Sequence, residues 1–574
     1  MRTFFVAALL SLNLLACGSG SSISVELDPE LWLLRDNLPA PGSGGQALRA
    51  GPAWGRYLWA PDLSPVGRIE SKPLDGPAPE LDSAVVSLSL DPAGRTLSGR
   101  ADIQVWAAGA ALDSIGFRLS AAAVDEVTAG GVALTHTYEN GVLTCTPDTP
   151  LPDGESLTIS IAWHDADIEL EVEFFPEGFK KNVLVGYLGE PSTFFTFGYW
   201  FWPRLVGPAT VSDVEFEVTY PDALTLVMSG EEESSKDNGD GTKTDVWRLS
   251  NPTAWYVSLA LADYEKAESS CGNTAIEVYG MPGKSIDNYP IVPATYLPIM
   301  EAICDDYRAR FGEPAFGAIR LAGVDQRFTN GYSSPGLLIV PNYTLDDDGK
   351  GSFAARDFYI AHEVSHQWWG NDVFASGTDI WLTEGLADYS AISYLEGSNW
   401  GADAAREQWL IDAAQLLDYY AQGGVDYPLV PESADELVAY IYYLKGAWVF
   451  RMLEGVIGRD EVTRALSDYR LAHPFAEATT QDFITAATAV HGESLAWFFD
   501  EWLTGTGLMS LAESHALSGD SVDLSVTQAT PWSMSPERFF SMPATVRITR
   551  DGSAKDERVT IEGSESTFHL PAGH

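Results

Sequence analysis

Two histidines and two glutamates near the middle of the chain have the spacing of a catalytic zinc site. His362 and His366 are four residues apart, so on a helix both imidazoles lie on one face. Glu384 follows His366 after 17 intervening residues and is available as a third ligand. Three protein ligands leave the fourth position of a tetrahedral zinc open for water, which is typical of a catalytic site. Glu363 stands beside the first histidine, where a carboxylate can take a proton from that water.

The residues around this motif predict two helices that position it. Apolar residues flank the histidines in A-H-E-V-S-H-Q-W-W-G-N, residues 361–371, and favour a buried helix that Gly370 is placed to end. The segment W-L-T-E-G-L-A-D-Y, residues 381–389, opens a second helical pattern that contains Glu384. The alternative is two surface histidines on an ordinary helix. We disfavour it because the motif rarely arises by chance in a chain with 9 histidines.

The composition predicts a large, well-packed globular protein. The chain has 574 residues, of which 45% are hydrophobic and 18 are Trp, enough for several domains. Its formal net charge of −47 repels nucleic acid and anionic membrane surfaces. We therefore expect no nucleic-acid partner. The acidity also fits a saline habitat or a need for solubility, and composition does not choose between them.

The N-terminus has the features of an export signal. A short basic start is followed by an apolar run from Phe4 to Leu15 and then by L-L-A-C, which ends at Cys17. This ending resembles the bacterial lipoprotein signal, which implies cleavage before Cys17 and lipid attachment to it. The alternative is an ordinary secretory signal with a chance cysteine. No other apolar run reaches the roughly 18 residues that span a bilayer. We therefore expect an exported protein anchored to a membrane by lipid alone, in the periplasm or at the cell surface.

Three cysteines follow Cys17, namely Cys145, Cys271 and Cys304. An odd number in an exported protein leaves at least one unpaired, and the sequence does not say which pair forms a disulfide. None lies at metal-ligand spacing, so a structural zinc site built from these cysteines is disfavoured.

Hydrophobic periodicity divides the chain into regions and predicts a multidomain α+β fold. Alternation with a period of two indicates an antiparallel β domain, with D-N-G-D-G at 237–241 as a hairpin tip. Helical patterns follow, including a helix from Leu297 to Phe311 and a helix start at T-T-Q-D, 479–482. Period two then returns in a small β-sandwich. The predicted boundaries are 1–16 for the signal peptide, 17–75 for a tether and N-terminal segment, 76–270 for the N-terminal β domain, 271–508 for the catalytic domain and 509–574 for the C-terminal β-sandwich.

The motifs H-E-V-S-H-Q-W-W-G-N, W-L-T-E-G-L-A and Y-L-K-G-A (443–447) resemble the aminopeptidase N family of gluzincins, which also contains the leukotriene hydrolase. The resemblance implies a mainly helical, thermolysin-like catalytic domain and one zinc per chain. It assigns His362, His366 and Glu384 to the metal and Glu363 to the general base. It also aligns Tyr443 with the family's catalytic tyrosine, whose hydroxyl donates to the oxyanion that forms when water attacks a peptide carbonyl.

The chain departs from the family pattern in two places. The interval between His366 and Glu384 is one residue shorter than is usual, and we expect the deletion to fall in a loop at 374–378. Upstream, N-G-Y-S-S-P-G-L-L-I (330–339) places Ser333 or Ser334 where the family has the glutamate that binds the substrate's ammonium group. The segment is still expected to form a strand that pairs with an extended peptide. Glu190 is a possible replacement anion, with a solvated loop carboxylate as the alternative.

These observations predict a zinc metallopeptidase, most simply an aminopeptidase that acts on peptides outside the cytoplasm. One alternative is a related zinc peptidase that does not require a free N-terminus. An alternative of another class is a non-catalytic surface lipoprotein that binds peptide. Asp388 either accepts a proton from a ligating imidazole or is an ordinary solvated carboxylate. The preferred substrate residues, the oligomeric state and the membrane concerned are not readable from the sequence.

Overall fold

The computed structural model describes most of the chain beyond residue 79. The described residues are 23–27, 79–174, 181–196, 199–206, 212–253, 257–281, 291–325, 331–341, 354–433, 436–530, 538–550 and 553–572. The predicted signal peptide and Cys17 lie outside them, as does most of the predicted tether.

The strands are, in chain order, β1 (Ile23–Leu27), β2 (Pro79–Asp91), β3 (Thr96–Ala107), β4 (Ile115–Arg118), β5 (Ala123–Ala129), β6 (Val132–Ala133), β7 (Thr135–Glu139), β8 (Val142–Thr146), β9 (Ser156–Ala166), β10 (Glu169–Phe174), β11 (Lys181–Tyr187), β12 (Ser192–Phe195), β13 (Arg204–Leu205), β14 (Val214–Pro221), β15 (Thr225–Met228), β16 (Glu231–Asp237), β17 (Thr242–Leu249), β18 (Leu259–Ala262), β19 (Glu265–Cys271), β20 (Thr274–Gly280), β21 (Ala318–Val324), β22 (Tyr332–Ser334), β23 (Leu337–Pro341), β24 (Val373–Ala375), β25 (Ala476–Ala478), β26 (Ser510–Ser518), β27 (Ser521–Ala529), β28 (Met542–Arg550), β29 (Ser553–Ile561) and β30 (Glu565–Pro571).

The helices are α1 (Pro293–Phe311), α2 (Ala354–Ser365), α3 (Glu384–Gly397), α4 (Gly401–Ala421), α5 (Gly446–Ile457), α6 (Arg459–Ala472), α7 (Thr480–His491) and α8 (Ala496–Leu503). A short 3₁₀ turn at Ile380–Leu382 precedes α3, and a π-helical turn at Ile441–Lys445 runs directly into α5.

The N-terminal β region is built on an eight-stranded sheet with the order β16-β17-β14-β2-β3-β9-β5-β6. Alternate residues of β2 and β3 are buried, as the period of two predicts, and they pack with Trp163 in the main core. The hairpin tip lies between β16 and β17 as predicted. The sheet is not wholly antiparallel, because β14 pairs with β2 in parallel. A hairpin pattern read from sequence does not reveal such a long-range pairing.

A second sheet belongs to the same compact unit and contains strand β22, which directly follows Gly331, a residue next to Glu363. Its order is β19-β20-β21-β23-β22, which leaves the short strand β22 at one end. Helix α1 packs against β19 and β20, and a disulfide between Cys271 and Cys304 ties the end of β19 to α1, with a Cα–Cα distance of 6.1 Å. Cys145 is a buried free thiol in β8. Strands β24 and β25 also belong to this unit.

The other compact unit contains the remaining helices and the C-terminal strands. Helix α3 packs against α4, α5 and the π-helical turn. Helix α7 begins with the expected capping box, in which Thr479 and Asp482 exchange hydrogen bonds. At the C-terminus two three-stranded sheets, β1-β28-β29 and β26-β27-β30, enclose an apolar core. The early segment β1 is therefore part of this sandwich.

The predicted fold class is confirmed: a β-rich N-terminal region, a helical middle region and C-terminal strands follow one another along the chain. The domain boundaries drawn from the sequence remain predictions. Among the described residues, no helix has the length and apolar character that a membrane crossing requires.

Candidate metal centre

Helix α2 contains the H-E-x-x-H motif up to Ser365 and packs against α1. The Tyr307 hydroxyl donates to the carbonyl of Ala361 at 2.9 Å, and the Tyr307 ring makes an edge contact with Trp368. From Ile360 to Ser365 every residue of α2 is buried. The helix ends at Ser365, one residue before the second histidine. Gly370 has a φ of 114°, which suits a glycine in the turn that follows.

The two histidines face each other through the same ring atom. The Nε2 atoms of His362 and His366 are 3.0 Å apart, and the two residues are 1% and 7% exposed. His366 Nδ1 lies 2.9 Å from the carbonyl oxygen of Trp369. Because a carbonyl only accepts, Nδ1 holds the proton and Nε2 of a neutral His366 keeps its lone pair. This contact selects the tautomer that a metal ligand needs.

Glu384 completes the cluster as the first residue of α3. Its side chain is fully buried, and donor atoms of His362, His366 and Glu384 all lie within 4.8 Å of one another. The segment before it is anchored by Asp379, which accepts from the backbone N–H of Thr480 at 2.9 Å and from its hydroxyl at 2.7 Å. Burial raises the pKa of Asp379, and the bonds from Thr480 partly offset this.

The residues present fit a divalent metal such as zinc. Ligand nitrogens at about 2.0–2.1 Å from a tetrahedral zinc lie roughly 3.3 Å apart, close to the spacing of the two imidazole nitrogens here. Two nitrogens and a carboxylate are also the donors that zinc favours in catalytic sites. A buried carboxylate beside two imidazoles is stabilised by a shared cation.

The sequence predicts a loop at 374–378, within the shortened interval between His366 and Glu384. Only part of that segment is a loop. Val373–Ala375 forms strand β24, which pairs in parallel with β25, so Phe374 is part of a strand. Asp372, just before it, forms a buried ion pair with Arg470. The interval is therefore anchored to the end of α6 and to the strand that follows it, an arrangement the sequence pattern does not indicate.

Glu363, the predicted general base, lies against Gly331, the residue just before strand β22. Its side chain is 2% exposed. A Cβ atom added to Gly331 would be 2.0 Å from Glu363 Oε1 and 2.7 Å from the Tyr359 hydroxyl. A residue with a Cβ at this position would require the Glu363 carboxylate to move. The backbone of Gly331 is thus in direct contact with the carboxylate of Glu363.

Tyr443 is buried in the π-helical turn that precedes α5. This turn packs tightly on the start of α3, because a Cβ at Gly385 would be 2.7 Å from the carbonyl oxygen of Tyr442 and 2.9 Å from Gly446. Gly385 follows Glu384 directly in the sequence. The two glycines therefore fix the turn of Tyr443 against the helix of Glu384.

A buried ion pair anchors the same turn. Lys445 Nζ lies 3.1 Å from Asp426 Oδ2 and donates to the carbonyl of Gly505 at 3.4 Å. Asp426 also accepts from the Tyr420 hydroxyl at 2.7 Å and from the backbone N–H of Gly507. Burial lowers the pKa of Lys445, and Asp426 opposes that shift. Sequence reasoning missed this pair, since the partners are 19 residues apart with no periodic relation.

Ser333 and Ser334, one of which is predicted to stand where the family has its amine-binding glutamate, are turned into the protein. Ser333 is 6% exposed and Ser334 is fully buried. Glu190 is exposed in the turn before β12, where the Tyr187 hydroxyl donates to its backbone carbonyl at 3.2 Å. Asp388 is 3% exposed, which argues against an ordinary solvated carboxylate. Its predicted contact with a ligating imidazole stays a prediction.

A buried H-E-x-x-H helix with a glutamate at the start of the next helix is the ligand arrangement of gluzincin metallopeptidases, and comparison with known proteins agrees. Residues 331–502 match the Peptidase family M1 domain. The chain is similar to "Probable aminopeptidase 1" of Sulfurisphaera tokodaii, with 20% identity over 331 residues, 55% of this chain and 40% of that protein. It is also similar to "Aminopeptidase M1" of Arabidopsis thaliana, with 32% identity over 160 residues, 26% of this chain and 17% of that protein.

The fold is shared with a solved M1 zinc metallopeptidase from Deinococcus radiodurans. The TM-score is 0.58 at 17% identity, over 74% of this chain and 94% of that one. The chain spans less than half the length of the two curated relatives. The match over residues 331–502 supports the resemblance to the aminopeptidase N family of gluzincins that the sequence motifs predict.

Proposed function

We propose that this protein is a zinc-dependent aminopeptidase that hydrolyses peptide bonds outside the cytoplasm. The observation that carries the proposal is the buried cluster of His362, His366 and Glu384, with Glu363 next to His362 on helix α2. The aminopeptidases among its relatives support this activity class.

Each residue of the cluster has a defined task. His362, His366 and Glu384 hold one zinc per chain, which when bound supplies a Lewis acid that polarises the peptide carbonyl and acidifies the attacking water. Glu363 takes the proton from that water and returns it to the leaving amine. Tyr443 donates a hydrogen bond to the carbonyl oxygen as negative charge develops there.

Strand β22 supplies the surface on which a peptide is held. Among the residues that the structure describes, it is the last strand of its sheet and pairs with β23 along one side. Gly331, the residue just before it, contacts Glu363. An extended peptide that adds to the other side of β22 receives main-chain hydrogen bonds and places a carbonyl beside the general base. A variant of the Deinococcus protein has been solved with a Tyr-Ser-Ala substrate, which supports peptides as the substrate class here.

The direct test is a digest of a mixed peptide library by the full chain, followed by mass spectrometry. We expect single residues to be lost from free N-termini, the loss to stop with a zinc chelator and to resume when zinc is added back. Intact peptides after incubation with the zinc-loaded protein would contradict the proposal.

A second candidate is a peptidase that does not require a free N-terminus. It is favoured by the predicted position of Ser333 or Ser334 in place of the amine-binding glutamate of the family pattern, and both serines are buried. A lost charge-assisted bond of about 1.5–3 kcal/mol corresponds to a factor of roughly 10 to 150 in kcat/KM.

A matched pair of free and N-acetylated peptides separates the two candidates. If acetylation lowers kcat/KM by less than about tenfold, the second candidate is correct. If acetylation abolishes cleavage, the aminopeptidase stands and another anion holds the amine. Glu190→Gln then tests the one alternative carboxylate that the sequence suggests.

We further propose that the protein is a bacterial lipoprotein anchored through Cys17. The L-L-A-C signal supports this, and so does the Cys271–Cys304 disulfide, since disulfides persist in oxidising compartments outside the cytoplasm. Mass spectrometry of the mature N-terminus should find a lipid on Cys17, and Cys17→Ser should release the protein from the membrane fraction or leave an uncleaved precursor. An unmodified mature N-terminus at another residue would refute lipidation.

A further inference from the structure

The residue directly after the second histidine holds strand β22 in place. Gln367 is fully buried, and its three side-chain hydrogen bonds all go to residues 333–336. Its amide nitrogen donates to the Ser333 hydroxyl at 2.7 Å and to the Ser334 carbonyl at 3.1 Å. Its amide oxygen accepts from the backbone N–H of Gly336 at 2.9 Å. One side chain therefore clamps the end of β22 and the turn into β23.

The serine hydroxyls of β22 are used inside the protein as a result. Ser333 is bound by Gln367, while Ser334 accepts from the Ser229 hydroxyl at 2.9 Å and donates to the Leu337 carbonyl at 3.2 Å. Both side chains thus stabilise the position of the strand rather than offering groups to a ligand. What the segment can offer a peptide is its main chain, in which the Ser333 carbonyl also accepts from the Asn371 amide at 3.4 Å and the Ser334 carbonyl from Gln367.

The clamp and the general base act on opposite ends of one short segment. Gly331, two residues before Ser333, is the point at which the backbone touches the Glu363 carboxylate. Gln367 holds the segment from the other end, and its neighbour His366 is a donor of the metal cluster. Because β22 has only three residues, a shift at Ser333–Gly336 moves the main chain at Gly331.

We propose that Gln367 is a positioning residue that fixes strand β22 and so determines how tightly a peptide main chain is held. The inference rests on the proposed peptidase function. Hydrogen bonds from a strand to a peptide backbone are made in the ground state and in the transition state alike. Loosening the strand therefore raises KM and leaves kcat nearly unchanged.

The test compares Gln367→Glu and Gln367→Met, which keep the length of the side chain and remove the donor. With a peptide of three or more residues we expect KM to rise at least about tenfold, kcat to change less than about threefold, and the zinc content to stay at the wild-type level. Gln408→Met is the matched control, because Gln408 is also a buried amide but binds Asp412 within α4. It should leave KM unchanged.

Ser333→Ala keeps the test decisive if the Gln367 variants do not fold. It removes one partner of the clamp and should raise KM by a smaller factor. In the Gln367→Met background, Ser333→Ala should cause no further rise in KM. KM and kcat both within twofold of wild type in folded variants would overturn the proposal. So would a parallel loss of kcat and zinc at constant KM, since Gln367 would then act through His366. An inactive wild-type enzyme would instead refute the proposed function.

Discussion

At the scale of single residues, individual contacts determine the tautomer of His366 and the position of the Glu363 carboxylate. Trp369 fixes the proton of His366 on Nδ1, so Nε2 is directed at His362 and Glu384. Gly331 leaves space for the Glu363 carboxylate, which would have to move if this residue carried a Cβ. These contacts indicate the roles of His366 and Glu363 more directly than the H-E-x-x-H motif does alone.

Tyr443→Phe should lower kcat by about a hundredfold or more and change KM little, because the lost hydrogen bond forms mainly in the transition state. Tyr442→Phe is the matched control, since Tyr442 is equally buried and its ring centroid lies 5.2 Å from that of Tyr443. It should retain kcat within a few fold. A large rise in KM at constant kcat for Tyr443→Phe would make this tyrosine a binding residue instead.

At the scale of elements, glycine contacts and a buried ion pair determine where the catalytic groups lie. The π-helical turn places Tyr443 on α3 through Gly385 and Gly446, and Lys445 binds that turn to Asp426. Single π-helical turns next to α-helices, such as this one, are frequent at functional sites.

Lys445→Met should destabilise the protein by about 3–5 kcal/mol, because it leaves the carboxylate of Asp426 buried without its cation. Calorimetry should show this as a lower thermal midpoint. The double variant Lys445→Met with Asp426→Asn removes both charges and should recover much of the loss. Equal midpoints for the single variant and the wild type would show that the pair does not stabilise the turn.

The sequence predicts those elements that are determined by neighbouring residues, and it does not predict those determined by tertiary packing. The strand alternation, the hairpin tip at 237–241 and the capping box of α7 are local patterns, and the structure has each of them. Helix α1 begins four residues before the predicted Leu297, because Pro293 occupies its first turn, where a missing N–H costs nothing. The π-helical turn and the Gln367 clamp join groups through tertiary packing, which has no local signature.

At the scale of the whole molecule, long-range pairings account for what the sequence did not reveal. The parallel pairing of β2 with β14, the pairing of β24 with β25, and the place of β1 in the C-terminal sandwich all join distant segments. The disulfide belongs to this group, since three cysteines allow three pairings and only the structure selects Cys271 with Cys304.

Alkylation followed by peptide mapping should reproduce this assignment. In the folded protein Cys145 should stay unlabelled, since it is fully buried and burial raises the pKa of its thiol to about 12. After denaturation without reductant Cys145 alone of these three cysteines should label, and Cys271 and Cys304 should label only after reduction. A Cys145→Ala variant should then show no label at these positions before reduction. Label on Cys271 or Cys304 without reductant would contradict the disulfide.

The central claim is that Glu363 is the general base of a zinc site built by its neighbours, and the most direct measurement combines zinc content with turnover in Glu363→Gln. The substitution keeps the size of the side chain and removes its basicity, while His362, His366 and Glu384 remain. We predict about one zinc per chain, as in the wild type, with most of the turnover lost. Glu384→Ala, by contrast, should lose zinc and turnover together. Near-normal turnover by zinc-loaded Glu363→Gln would contradict the account.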